Sequence, residues 1–208
     1  MYTLVYSISK EKSPETVYIN LTNRCTNSCI FCVRSQKSDV CGADMLHDDN
    51  YKLEDVINQF KLFPAVREVV FCGYGEPFLR KDIMKTFCVY LRENYPEIKI
   101  RVNTNGHANA VYKMNAAEEF KGLIDEVSVS LNASNPAQYD EICRPKINNA
   151  YEEVKNFIKA CKSADIKVTA SIVSGFDETH IMDIEKCREI AQSLGADFRN
   201  REFIKNGY

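Results

Sequence analysis

The 208-residue sequence predicts an α/β fold: a partial (β/α)6 TIM-like barrel, open on one side, with an N-terminal hairpin. Three observations predict it. Short β-branched and aromatic runs alternate about six times with helix-period segments, the rhythm of a parallel sheet with crossover helices. A closed eight-unit barrel uses roughly 250 residues, and six units bring this chain to within a few residues of Tyr208. All six prolines fall outside the proposed element interiors, where a missing N–H does no harm. Residues 1–208 are read as one domain.

The elements follow in order. "LVYSI" and "TVYINL", separated by the turn-like "SKEKSPE", form the hairpin. Ser35–Asp49 is polar and aperiodic, a loop expected to lack apolar contacts and to be either a lid over the barrel mouth or a bare connector. Leu53, Val56, Ile57 and Phe60 recur at helical spacing, with Asp49 or Asn50 as the cap and Pro64 beyond the end. The strand "REVVFCG" runs into a glycine turn and the helix "DIMKTFCVYLREN". The strand "IKIRVNTNG" leads to a helix over "NAVYKMNAAEEFKG", and "IDEVSVSLN" is the next strand. Helices "PAQYDEIC" and "AYEEVKNFIKACKSA" precede the strand "IKVTASIVSG". The helix "ETHIMDIEKCREIAQSLG" and the strand "ADFRNREFI" complete the pattern.

Composition narrows the function classes. With 27 basic and 29 acidic residues the net charge is −2, which gives no electrostatic footprint for tight nucleic-acid binding. No apolar run reaches the length of a membrane span, and the N-terminus shows no signal-peptide pattern. Nine cysteines then imply a reducing compartment, the cytoplasm, where thiols serve as metal ligands, nucleophiles or small buried hydrophobes.

Three of these cysteines stand in "NRCTNSCIFC": Cys25, Cys29 and Cys32. The flanking Thr22, Asn23, Thr26, Asn27 and Ser28 favour turns with free backbone amides, which can hydrogen-bond sulfur. Thiolate cages for zinc or ferredoxin clusters take four ligands, and here three cysteines stand together. On a four-iron cluster, three thiolates leave one iron open to a small molecule. Two other readings compete: spacings of four and three also share one helical face, so the thiols are core residues, or zinc binds with His47 or a distant ligand.

The pattern Cys25, Cys29, Phe31, Cys32 resembles the CxxxCxΦC signature of the radical S-adenosylmethionine (SAM) superfamily. "FCGYGEP" supplies Gly73, Gly75, Glu76 and Pro77 where the family has a Gly-Gly-Glu-type turn. Ser171, Val173, Gly175 and Glu178 stand at the spacing of its GxIxGxxE pattern, with two substitutions, and Ser130 and Asn132 in "SVSLN" resemble its ribose contacts. "YINLTNRCTNSCIFC", "FCGYGEP" and "SLNASNPAQYDEICRP" look most like the small radical SAM proteins associated with TatD-type hydrolases.

The resemblance implies a [4Fe–4S] cluster on Cys25, Cys29 and Cys32. Its open iron would take SAM, and reductive cleavage would give a 5′-deoxyadenosyl radical that removes hydrogen from an unknown substrate. It further implies SAM contacts at Gly73, Gly75, Glu76, Asn105, Ser130, Asn132 and Val173, and Phe31 near adenine. It implies an external electron donor too. For single residues other roles stay open: Glu76 as a solvated loop carboxylate, Asn105 as a helix cap, Phe31 as core. Arg199 and Arg201 share one strand face and bind an anionic substrate or the SAM carboxylate, or pair with carboxylates. His107 and His180 are read as surface or capping residues, and the other six cysteines as structural. The substrate is a small molecule, a nucleotide or a partner protein. The rival from another class is a non-catalytic iron–sulfur or zinc protein for electron transfer or scaffolding, which has no use for the glycine turn.

Overall fold

The computed structural model describes residues 3–9, 11 and 13–204. Residues 10 and 12 in the hairpin connection, and the expected domain limits at 1 and 208, lie outside the described residues. The strands are β1 (Val5–Tyr6), β2 (Thr16–Ile19), β3 (Asp39–Val40), β4 (Ala43–Asp44), β5 (Glu68–Phe71), β6 (Lys99–Thr104), β7 (Glu126–Ser130), β8 (Lys167–Ser174) and β9 (Asp197–Glu202). The α-helices are α1 (Leu53–Phe60), α2 (Lys81–Asn94), α3 (Ala108–Tyr112), α4 (Pro136–Cys143), α5 (Ala150–Ser163) and α6 (Ile184–Ser193).

Seven strands form one open sheet in the order β1-β2-β5-β6-β7-β8-β9, in which β1 is antiparallel and the other pairings are parallel. The expected six-unit half-open barrel is present. Alternation decides the two faces of the sheet. Val17, Ile19, Val69, Phe71, Ile100, Val102, Val127, Val129, Val168, Ala170 and Ile172 point outward beneath the helices and form the main core. Each large apolar side chain so buried contributes about 1.5–3 kcal/mol relative to exposure. The intervening residues face the concave side, which is mostly polar: Tyr18, Asn103, Ser128, Ser130 and Thr169.

Three helical boundaries differ from expectation. The first helix is capped by Lys52, whose backbone N–H donates to Asp55 (2.8 Å); Asp49 instead accepts from Thr22 Oγ1 (2.8 Å) and from Arg24 Nε (2.8 Å). The helix expected over "NAVYKMNAAEEFKG" stops at Tyr112. Lys113 turns left-handed (φ 53°), and the Asn109 side chain captures the Ala116 amide (2.9 Å), a local bond that competes with helix continuation. The last helix starts at Ile184 because Asp183 caps it, accepting from Lys186 N (3.0 Å).

The largest correction concerns residues 35–49. This segment is not without apolar contacts. The short hairpin β3–β4 presents Val40 and the fully buried Met45 to a second small core with Tyr6 and Tyr74. Asn20 Nδ2 donates to Met45 O (2.8 Å), Asn23 Nδ2 to His47 O (2.7 Å), and the Tyr74 hydroxyl to Lys37 O (2.7 Å). Sequence periodicity misses it because two apolar side chains anchor fifteen residues. Met45→Ala should therefore destabilise the chain by about 2–5 kcal/mol in urea unfolding; an unchanged midpoint would return the segment to the status of an unanchored connector.

Candidate active site around the cysteine loop

The segment after β2 carries the three cysteines across the C-terminal ends of the strands and is fixed from two sides. On one side lies the glycine turn after β5. A Cβ at Gly75 would overlap the carbonyl oxygens of Thr22 and Arg24, and one at Gly73 would overlap the Asn20 side chain. The glycines thus have a physical reason within the chain itself: they let the turn sit directly on the cysteine loop. Glu76 N then donates to Arg24 O (2.8 Å). On the other side lies the C-terminus of α4, whose last carbonyls have no helical partner. Ser28 N donates to Cys143 O (3.0 Å) and Ile30 N to Ile142 O (2.9 Å), so neither amide is available to sulfur, against the expectation for Ser28.

Glu76 is buried, not solvated. Its Oε1 accepts from Thr104 Oγ1 (2.8 Å) and Phe78 N (3.2 Å), and its Oε2 from Asn105 N (2.7 Å). Burial pushes its pKa up to about 7, while the Asn105, Thr104 and Phe78 donors act the other way. Asn105 does two things at once: its Oδ1 accepts from His107 N (3.1 Å), and its Nδ2 donates to Thr26 Oγ1 (2.7 Å) and approaches Cys25 Sγ at 3.6 Å.

The three thiols have different surroundings. Cys25 Sγ accepts from Asn27 N (3.4 Å) and faces Asn105; burial, then the Glu76 carboxylate, pushes it up to about 11. Burial raises Cys32 too, opposed by the Arg34 and Ser35 amides. Cys29 is hydrogen-bonded with the free thiol of Cys143, which together with burial raises it strongly. Cys143, read from sequence as structural, is fully buried beside Cys29 and accepts from Asn132 Nδ2 (3.5 Å). The thiols do not converge on one point. Among the described residues no group of three His, Cys, Asp or Glu is arranged around a single ion position.

The donor set still suits an iron–sulfur cluster. Three partly exposed thiols lie on one loop, and backbone or side-chain N–H groups are directed at Cys25 and Cys32, an environment that stabilises sulfur carrying negative charge. The readings with all three thiols as core cysteines do not hold, because none of the three is buried as Cys88, Cys161 and Cys187 are. His47 is not placed with the thiols; its Nε2 lies 3.2 Å from Asn20 O.

The remaining expected residues divide. Ser130 and Val173 sit half-buried on the concave face. Asn132 is buried with a left-handed backbone (φ 56°), its amide turned to Cys143, so it does not line the open face. Phe31 packs on Phe176 (centroids 4.9 Å apart), which stacks on His180. His180 is held by Asp177, as a local cap would be (2.7 Å). His107 is not at the surface: its backbone takes the N-cap position of α3, but its ring makes no capping bond and is fully buried between Thr26 and Tyr139. Reasoning from sequence missed it and Cys143, since neither carries a periodic or motif signal.

The comparisons with known proteins agree with this geometry. Residues 19–191 match the family described as the radical SAM superfamily, and the chain belongs to it, the class of enzymes that pair a [4Fe–4S] cluster with SAM. A probable GTP 3′,8-cyclase of Methanocaldococcus jannaschii is 28% identical over 194 residues, covering 89% of this chain and 58% of that protein. The dual-specificity RNA methyltransferase RlmN of Buchnera aphidicola is 28% identical over 166 residues, covering 72% and 44%. The chain thus spans about half the length of these relatives, 58% of the first and 44% of the second. Among solved structures, TYW1 with a lysine-pyruvate adduct bound superposes with a TM-score of 0.64 at 16% identity, covering 91% of this chain and 65% of that one. Streptococcus suis SuiB bound to precursor peptide SuiA gives 0.67 at 17%, covering 93% and 40%. At such identities the likeness is one of fold.

Glu76 generates a pH test with a definite sign. Its folded pKa is raised above the unfolded value of about 4.5, so the folded state holds the proton more tightly. Stability contributed by this group is fully present below about pH 4.5 and is lost as pH rises through about 7. The difference in unfolding free energy between wild type and Glu76→Gln, measured by urea at pH 4.5 and pH 8, should change by on the order of 3 kcal/mol. A pH-independent difference would show that Glu76 does not ionise across this window.

Proposed function

We propose that this chain is a radical SAM core that holds a [4Fe–4S] cluster through Cys25, Cys29 and Cys32 and acts on an anionic substrate lying against the concave face of the sheet. The observation that carries the reading is the direct contact of the three-cysteine loop with the Gly73–Glu76 turn, which a bare electron carrier does not need. When bound, cluster and SAM supply the one-electron cleavage and the radical chemistry. The chain's own residues do the rest. Glu76 and Asn105 brace the loop beside Cys25, with the Glu76–Asn105 edge as the place for the SAM amino group. Ser130 and Val173 line the face next to it, and Phe31 with Phe176 forms an aromatic wall for adenine.

Charge on the concave face points to the substrate class. Strand register puts Lys99, Arg101, Lys167, Arg199 and Arg201 there with Glu68, Glu126 and Asp197. Each carboxylate has an ion pair: Glu68 with Arg101 (3.1 Å), Glu126 with Lys99 (2.8 Å), and Asp197 with Lys167 (3.6 Å). By count these five cations exceed the three carboxylates by two, and Arg199 and Arg201 stand in the rows nearest the strand C-termini. Burial raises the Cys72 thiol, against which the Asn103 side chain, Arg201 and Arg101 act. A phosphate or carboxylate fits this surplus. GTP, in the name of the curated relatives, carries such a group.

The motif agreement supports placement near the small TatD-associated proteins, and the single continuous sheet supports one domain. Among the described residues no helix is long and apolar enough to cross a membrane; the nine cysteines support a cytoplasmic location. An external donor would reduce the cluster.

Anaerobically reconstituted chain should hold about four irons, and the Cys25→Ala, Cys29→Ala, Cys32→Ala triple variant almost none. Stoichiometric zinc without iron–sulfur absorbance would sink the reading. For the substrate class, calorimetry with pyrophosphate should show binding that weakens as salt rises and falls at least about tenfold in Arg199→Ala, Arg201→Ala. Equal affinity in that double variant would remove the arginines from the site.

A further inference from the structure

We propose that the Arg34 side chain is the fixed counter-charge to the group held by Cys25, Cys29 and Cys32, and that its charge raises the reduction potential of that group. The role toward the cluster rests on the assignment proposed above; the placement of the charge is a property of the chain alone.

Arg34 stands two residues after the third cysteine, in the short 3₁₀ turn Val33–Ser35. Ser35 N donates to Cys32 O (3.1 Å) and Gln36 N to Val33 O (2.9 Å), which sets the backbone there. From this turn the side chain returns across the loop, and its Nη1 donates to Asn23 O, two residues before the first cysteine. One side chain thus joins the two ends of the cysteine loop. The carbonyl it reaches is itself fixed, because Asn23 Nδ2 donates to His47 O (2.7 Å) and Asn23 Oδ1 accepts from Asn20 Nδ2 (3.4 Å). Arg34 is half-buried, and among the described residues no carboxylate pairs with it. Arg24 on the same loop differs: it is exposed, and Asp49 meets its charge at 2.8 Å. A carbonyl engages one donor of the guanidinium fork and cancels none of its charge. A cation partly withdrawn from water and left unpaired keeps a field that solvent screens less than at the surface. That field reaches the thiols, since Arg34 favours the negatively charged sulfur at Cys25, Cys29 and Cys32 alike. The Glu76 carboxylate acts in the opposite sense at Cys25. A cluster on three thiolates carries net negative charge and becomes more negative on reduction. A fixed cation beside it therefore stabilises the reduced state and raises the potential. Stapling the loop alone would need no charge, and a glutamine amide could supply the donor.

Two readouts test this on the full chain, with Arg34→Lys, Arg34→Gln and Arg34→Glu as a charge series. Before iron is added, each reduced protein is alkylated with iodoacetate and, separately, with iodoacetamide at the same pH. Peptide mass spectrometry follows the rates at Cys25 and Cys32. Both reagents consume the same thiolate, so the ratio of the anionic to the neutral reagent reads the local field and not the ionisation of the thiol. The ratio should stay near wild type in Arg34→Lys, fall about threefold in Arg34→Gln and fall further in Arg34→Glu. Unchanged ratios across the series would overturn the inference, whatever the cluster. An equal loss in all three variants would reduce Arg34 to a loop staple and overturn it as well. After anaerobic reconstitution, the cluster midpoint potential, followed by electron paramagnetic resonance, should keep the same order: Arg34→Lys close to wild type, Arg34→Gln more negative, Arg34→Glu most negative. Potentials independent of the charge at position 34, in variants that hold iron, would refute the role toward the cluster while leaving the cluster assignment standing. Iron retained by the triple cysteine variant would instead refute the cluster assignment and that role with it, while the alkylation ratios would still place the charge at the thiols. Should Arg34→Glu fail to fold, Arg34→Lys and Arg34→Gln still decide.

Discussion

The structure around the three thiols depends on one buried carboxylate. Glu76 accepts hydrogen bonds from the Phe78 amide, the Thr104 hydroxyl and the Asn105 amide, while its own amide donates to Arg24 O. A single residue therefore joins the turn after β5, the end of β6 and the loop that carries Cys25. Burying a charged carboxylate is costly, and three donors offset only part of that cost, which is why burial still holds its pKa near neutrality. Loss of any one donor would leave the remaining carboxylate worse off, so the contacts act together rather than singly.

This arrangement explains why the turn reads Gly-Tyr-Gly-Glu. The close approaches at Gly73 and Gly75 are to Asn20 and to the Thr22 and Arg24 carbonyls, all within the chain. The tyrosine between them is buried and reaches over to residues 37–39, where its hydroxyl binds Lys37 O and Asp39 O. The extra residue relative to a Gly-Gly-Glu turn thus ties the segment 35–49 to the same turn that seats the cysteine loop. What looks in sequence like a tolerated deviation is a joint between the two loops at the mouth.

The barrel itself was legible because its signals are periodic. Val127, Val129, Val168, Ala170 and Ile172 alternate with polar residues, and the strands they define pair as read. The cysteine triad and the glycine turn were legible because spacing alone carries them. Other features depend on contacts between residues far apart in the chain. Asn27 and Tyr139 meet across 112 positions, and Asn105 and Thr26 across 79. No local pattern announces such pairs, so His107 read as a surface or capping residue and Cys143 only as a structural cysteine. The same holds where a local side chain wins over helix propensity, as Asn109 does after Tyr112.

The three thiols are, as a result, not equivalent. Asn27 and Asn105 direct amides at Cys25, and the Arg34 and Ser35 amides act on Cys32. Cys29 meets a thiol beside its own amide, while the amides flanking it at Ser28 and Ile30 are engaged by the last carbonyls of α4. The hydrogen bond with Cys143 raises the Cys29 thiol and so favours the protonated sulfur. Negative charge is therefore better stabilised at Cys25 and Cys32 than at Cys29. The two richer sulfur environments differ in source: Cys32 has its own turn, while Cys25 adds to the Asn27 amide the side chain of Asn105, just after β6 and bound to Glu76. A change at the glycine turn would consequently act on one sulfur and spare the other, which makes the electronic asymmetry of the site a property of the tertiary fold and not of the cysteine motif alone.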